Sequence, residues 1–178
     1  PNPTVNAGED QLLHLGNSTP LPIQYSTDVV SWLWSPATGL SCSDCPAPLA
    51  SPETNTTYSI TVTNGSKCTA TDNVFIKVVC DNSNLFLPTA FTPNNDGLND
   101  VFYPMGVGLF KVQSLRIFNR YGQVVFLTTN VNANDRSTGW DGRFKGKLAD
   151  PGAYIYTLEV ICKNNEVLTI NGKILLIQ

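Results

Sequence analysis

The chain has 178 residues, 42% of them hydrophobic, 10% aromatic and only 14% charged, with a formal net charge of −3 at pH 7. That is enough chain for one large or two small domains with ordered cores, and too apolar for a disordered segment. The acidic balance argues against nucleic acid as a general partner, and no apolar run approaches the ~18–20 residues of a helical membrane span.

The residue types point to strands. Thr, Asn, Val, Pro and Gly are abundant, whereas Met occurs once and Ala, Glu and Lys form no periodic runs. This is the profile of short β-strands joined by tight turns, so the expected class is all-β. The chain opens on Pro1-Asn2-Pro3 without an initiating Met, a basic region or an apolar leader. It therefore reads as a piece of a longer exported precursor, continuous with upstream cargo domains.

Up to residue 81 the pattern alternates as half-buried strands do. Val29–Trp34 makes one strand with Trp32 and Trp34 on a shared face. Tyr58, Ile60 and Val62 line a second, closed by Asn64-Gly65, and Val74, Ile76 and Val78 line a third. Roughly seven short strands in about 80 residues around a central Trp strand outline an Ig-like sandwich over residues 1–81. Ala7-Gly8-Glu9-Asp10-Gln11, Trp34-Ser35-Pro36-Ala37-Thr38-Gly39-Leu40, Thr56–Val62 and Cys68–Asp72 resemble the polycystic-kidney-disease-like (PKD-like) Ig modules of Bacteroidota surface proteins. Such modules often carry an early-strand Cys able to bridge to the Cys68 position, where this chain has Leu13-His14-Leu15.

Asp81–Asn84 reads as a polar linker, and the character then changes. Phe86–Phe91 is an apolar strand that runs into an Asn- and Asp-rich turn at 92–100. Leu115–Asn119 and Val124–Leu127 flank the turn Arg120–Gln123, and Trp140–Arg143 forms another turn. In the strand Tyr154–Cys162, residues Tyr154, Tyr156, Leu158, Val160 and Cys162 share a face, and residues 167–177 close the domain. Residues 82–178 are therefore expected to form a second Ig-like sandwich, consecutive with the first. Phe91–Phe102, Ile117–Phe126, Trp140-Asp141-Gly142, Pro151–Tyr156 and Gly172–Ile177 resemble, in order, the blocks of the gliding-motility-associated C-terminal domain. That family is the type B sorting domain of type IX secretion. The resemblance implies a folded signal, read by outer-membrane translocon components, that takes cargo to the cell surface or medium.

Charge is divided unevenly: residues 1–81 carry seven acids against Lys67 and Lys77, a balance of −5, while residues 82–178 have a balance of +2. Two domains with different partners would produce such asymmetry. The expected recognition contacts are the Asn119–Gln123 turn (Asn119, Arg120, Gly122), the Trp140–Arg143 turn (Trp140, Asp141, Gly142, Arg143) and the last strand (Lys173, Ile174, Leu175).

Catalytic chemistry finds little footing. The only His, His14, sits in Leu12-Leu13-His14-Leu15, and there is no Gly-x-Ser-x-Gly elbow, phosphate loop, dinucleotide fingerprint or zinc signature. Glu159 and Glu166 read as strand and turn residues. No enzyme activity, cofactor or small-molecule substrate is expected. Asn94, Asp96 and Asp100 offer the hard oxygens that calcium prefers, although capping of a tight turn by their own side chains is the favoured reading. Trp32, Trp34 and Trp140 leave a carbohydrate-binding or adhesive surface module as the alternative function. Sequons at Asn17, Asn55 and Asn64 fit, more weakly, a eukaryotic adhesion ectodomain.

Five cysteines complete the reading. Cys42 and Cys45 are close enough to bridge in a Pro-bounded loop, and the Cys45-Pro46-Ala47-Pro48 run cannot start the helix a redox site needs. Cys68 and Cys80 lie on what reads as one extended strand, about 40 Å apart at ~3.3 Å per residue, so they cannot pair unless that strand folds back. Cys80 with Cys162 is the plausible second pair, expected to pin the two modules together, and Cys68 is left over. Structural disulfides imply an oxidising compartment, hence a secreted or cell-surface protein.

Overall fold

The computed structural model describes residues 2–177. They divide into two compact units, Pro1–Val79 and Cys80–Gln178, and contain strands, turns and two single 3₁₀ turns but no α-helix. The all-β class expected from composition is the class found.

The first unit contains β1 (Val5–Asn6), β2 (Gln11–His14), β3 (Thr19–Pro20), β4 (Gln24–Tyr25), β5 (Val29–Ser35), β6 (Leu49–Ala50), β7 (Thr56–Asn64) and β8 (Thr69–Val79). Its main sheet has the order β2-β8-β7-β5, with β2 parallel to β8 and the other pairs antiparallel. Alternation decides the faces: Tyr58, Ile60 and Val62 on β7 and Val74, Ile76 and Val78 on β8 are at most 2% exposed. Trp34 on β5 is buried beside them, while its neighbour Leu33 is 60% exposed on the opposite face. The small pairs β1–β4 and β3–β6 lie outside this sheet. A Trp-bearing strand next to two long antiparallel strands, closed by a parallel pair, is the layer arrangement of Ig-like domains.

The second unit contains β9 (Leu85–Phe86), β10 (Ala90–Phe91), β11 (Met105–Gly106), β12 (Leu109–Phe118), β13 (Val124–Asn132), β14 (Arg143–Phe144), β15 (Lys147–Leu148), β16 (Gly152–Cys162) and β17 (Val167–Leu176). Its five-stranded sheet runs β10-β17-β16-β12-β13. The closing device of the first unit recurs, because β10 is parallel to β17 and all other pairs are antiparallel. Tyr154, Tyr156, Leu158, Val160 and Cys162 all face the core, as their spacing requires. Phe91, Phe102 and Trp140 pack over that face, with the Trp140 ring 5.2 Å from Phe91 and 4.9 Å from Tyr154. Each such fully buried large side chain is worth roughly 1.5–3 kcal/mol of transfer energy.

Two cross-links form. Cys42–Cys45 has its Cα atoms 6.0 Å apart and holds a loop whose Ser43 and Cys45 carbonyls accept from the backbone and indole N–H of Trp34. Cys80–Cys162 joins Cα atoms 6.4 Å apart, and Cys68 is free. Cys80 directly follows Val79, the last residue of β8, and belongs to the second unit, so the disulfide closes within that unit. The Cys80 backbone N–H also donates to the Glu166 carboxylate at 3.0 Å.

Candidate functional site

The second unit carries a cleft of ≈ 240 Å³ where three segments converge. The Asn119–Gln123 turn, the β14–β15 hairpin and the Asp150–Tyr154 stretch form its walls.

Asn119 builds the first wall. Its side-chain oxygen accepts from the Tyr121 and Gln123 N–H groups, both at 3.0 Å, and its amide donates to the Gln123 side chain at 3.2 Å. The backbone bond from Gly122 N–H to the Asn119 carbonyl at 2.9 Å completes a tight turn that needs φ = +75° at Gly122. Asn119 and Gly122 thus position the turn, and Arg120 and Tyr121 project from it. The Arg120 guanidinium lies 5.1 Å from the Tyr121 ring centre, and Tyr121 is 79% exposed. An aromatic residue at the tip of a turn was the one available sequence signal for Tyr121.

The second wall starts from Trp140, and the expectation of an exposed recognition turn is corrected in part. Trp140 is fully buried: its backbone pairs with Phe102, and its indole N–H donates to the Arg143 carbonyl at 2.9 Å. Gly142 is buried too, and a Cβ there would stand 2.7 Å from Pro93 Cγ while φ is +75°. Only Asp141 and Arg143 remain at the surface, 3.7 Å apart as an ion pair. Beyond them the hairpin carries Lys145 and Lys147 into solvent and gives Phe144 and Leu148 to the cleft.

The floor is Val125 and Tyr154. The Tyr154 hydroxyl donates to the Asp150 carbonyl at 2.7 Å, and burial, followed by the Asp150 charge, pushes that hydroxyl's pKa up.

The last strand divides by face. Ile174 is 1% exposed and belongs to the core, which removes it as a surface contact, whereas Lys173 and Leu175 are exposed. Strand β10 covers the outer edge of β17 only at Leu175 and Leu176, so among the described residues the stretch 167–173 has no strand on that side.

The Asn/Asp-rich segment is fully engaged with its own backbone. Asp100, 8% exposed, accepts from Asn95 and Gly97 N–H at 2.6 and 2.9 Å and from Arg136 at 3.2 Å. Asp96 accepts from Leu98 N–H at 2.8 Å and the Asn94 amide at 2.9 Å, in that order the causes that hold its carboxyl below the usual range. Asn94 in turn accepts from Asp96 N–H. A guanidinium already supplies the cation, and no cluster of three or more His, Cys, Asp or Glu suited to a metal occurs among the described residues. Asp96→Ala should therefore lower the melting temperature slightly through lost turn bonding, with millimolar calcium leaving the melting temperature of the parent chain unmoved. A calcium-dependent rise of several degrees that the substitution abolishes would establish the metal reading instead.

Other residues singled out by sequence have structural roles. Asn64 is buried and holds the Ser66 and Cys68 N–H groups and Asp28, and Asn55 accepts from Val78 N–H, so two of the three sequons serve turns and strands. Trp34 and Trp140 are core residues and Trp32 is half-buried edge-on to Tyr25, so Trp34 and Trp140 offer no sugar-stacking platform. Glu159 accepts from Ser114 at 2.9 Å within the sheet.

Comparison with known proteins bears on the unit that holds the cleft. Residues 85–176 match the family model described as CHU_C Type IX secretion signal domain. Comparison with curated proteins gives no match. Similar solved structures include the PKD domain from KIAA 1837 protein, 19% identical over 43% of this chain and 86% of that one, with a TM-score of 0.38. Dimeric latent PorU from Porphyromonas gingivalis is 12% identical over 94% of this chain and 19% of that one, with a TM-score of 0.36. The titin domains z1z2 in complex with telethonin are 13% identical over 98% and 95%, with a TM-score of 0.37. The family match spans just over half of the chain, from the start of β9 to the end of β17, and the chain belongs to the CHU_C type IX secretion signal domain family.

Proposed function

We propose that residues 82–178 are a folded sorting signal that takes a larger surface protein through the type IX secretion system, with residues 1–81 as an Ig-like spacer. The supporting observation is that the family match falls within one self-contained unit with its own core and its own disulfide. The role is recognition, without catalysis: the domain folds in the periplasm, where oxidation closes Cys80–Cys162, and presents a fixed shape to an outer-membrane translocon component. Two surfaces suit such reading. The cleft offers Arg120, Tyr121 and the β14–β15 hairpin, and the open edge of β17 offers unpaired backbone N–H and C=O groups to a partner strand. Asp141, Arg143, Lys173 and Leu175 lie on or beside these surfaces as exposed residues.

The test is a secretory reporter carrying a Sec signal peptide and residues 82–178, expressed in a bacterium with an intact type IX system. The reporter should reach the medium or cell surface, and removal of Lys173–Gln178 should leave it in the periplasm, with a melting curve used to separate lost recognition from lost folding. Release undiminished by removal of the whole domain would contradict the proposal.

A further inference from the structure

We propose that the cleft between the Asn119–Gln123 turn and the β14–β15 hairpin is a docking site for an acidic, extended peptide segment that inserts one aromatic or branched side chain. The inference rests on the sorting reading and names the chemistry of the partner that reading requires.

Size is the first argument. At ≈ 240 Å³ the cleft is smaller than the ~300–1,000 Å³ of sites that enclose small molecules and cofactors, and it suits a single anchor side chain. Its lining mixes polar and apolar surface, and large side chains supply the apolar part. Val125 and Tyr154, 8% and 6% exposed, form the floor, and Phe144 and Leu148 stand along one wall. Tyr121, on the opposite wall, is a solvent-exposed aromatic of the kind that anchors recognition surfaces.

Charge gives the sign of the partner. Arg120 in the lining, and Lys145 and Lys147 on the hairpin beside it, are exposed and form no ion pair with any described residue, Arg120 lying 5.1 Å from the Tyr121 ring centre and Lys145 5.2 Å from that of Phe144, whereas the nearby Arg143 is matched by Asp141. Asp150 is the one acid of the lining. Three exposed cations without carboxylate partners, on the turn and the hairpin, favour a partner that brings carboxylates beside its anchor, and they would speed its encounter. A lipid surface fits less well because, of the large apolar side chains in the lining, only Tyr121 and Leu148 are exposed.

The test uses the full chain, isotopically labelled, titrated with a capped synthetic decapeptide of alternating Asp with Phe and Leu, and with its counterpart carrying Lys for every Asp. The expected result is amide shift changes confined to residues 119–125 and 143–154 with the acidic peptide, weakened by added salt, and none with the basic one. Arg120→Glu combined with Lys147→Glu should weaken binding about tenfold, and Phe144→Ala should weaken it without altering the salt dependence. If the charge-reversed pair fails to fold by its melting curve, Lys147→Ser alone should still weaken binding measurably. Equal binding of both peptides, shifts located elsewhere, or tighter association with phosphatidylglycerol vesicles than with the acidic peptide would each overturn the proposal. Fused to the reporter, the folded charge-reversed variant should be exported poorly, while Lys111→Glu, a matched reversal at the far end of β12, should not be. Normal export of the charge-reversed variant would end the cleft inference and leave the sorting function standing. Loss of type IX dependence in the unmutated reporter would end both.

Discussion

Trp140→Ala should destabilise the Cys80–Gln178 unit by about 3–5 kcal/mol, the range for truncating a buried Trp. The residue is fully buried, touches Phe91 and Tyr154, and ties the turn to the core through the indole bond to the Arg143 carbonyl. Its backbone also bridges to Phe102, which packs 5.2 Å from the ring of Tyr156. Truncation therefore opens a cavity among four aromatic rings and removes the indole donor from the Arg143 carbonyl. Trp140→Phe, which keeps much of the volume and loses the hydrogen bond, should cost about 1–3 kcal/mol. Hydrogen exchange of the β12 and β16 amides under increasing urea measures both. A loss below 1 kcal/mol for Trp140→Ala would mean that the turn is a surface feature after all.

Removing the Cys80–Cys162 bridge by a paired substitution to Ala should cost about 4.5 kcal/mol in the chain-entropy account, because it joins residues 82 apart in sequence. Removing Cys42–Cys45, with a separation of 3, should cost only about 1.5 kcal/mol. The contrast is the informative quantity, since it follows from loop length alone. Denaturation of the two paired variants beside the parent chain gives it directly, and equal losses would contradict the account. The first loss is large enough to leave a marginal domain unfolded, so a reporter carrying it should be trapped or degraded before export.

Much of this architecture was legible because the relevant strands sit inside sheets. The alternation of Tyr154, Tyr156, Leu158, Val160 and Cys162 could be read without a structure, since β16 lies between β12 and β17 with one face on the core. The same holds for Val74, Ile76 and Val78 on β8. What escaped the sequence is non-local. The parallel pairing of Ala90 and Phe91 with Leu175 and Leu176 joins the two ends of the domain, and nothing in the local pattern of a Pro- and Asn-rich segment announces it. Trp140 read as the start of an exposed turn because Asp141 and Gly142 follow it. The bridge to Phe102 that draws it inward is equally invisible locally. The second unit begins at Cys80, two residues before the expected boundary, since the residues after β8 are held by Cys162 and Glu166. In the cleft, Arg120 was legible from its place in a turn. Tyr121 stands beside it in the same turn, whereas Phe144, Leu148, Asp150 and Tyr154 join them only once the hairpin folds back on the sheet.

The account turns on residues 82–178 being a signal that the type IX machinery reads. The most direct measurement places the Sec-targeted reporter fused to these residues in two strains of one bacterium, one with an intact type IX system and one lacking its outer-membrane translocon. The account predicts reporter in the medium or on the surface of the first strain and in the periplasm of the second. Equal release from both would contradict it.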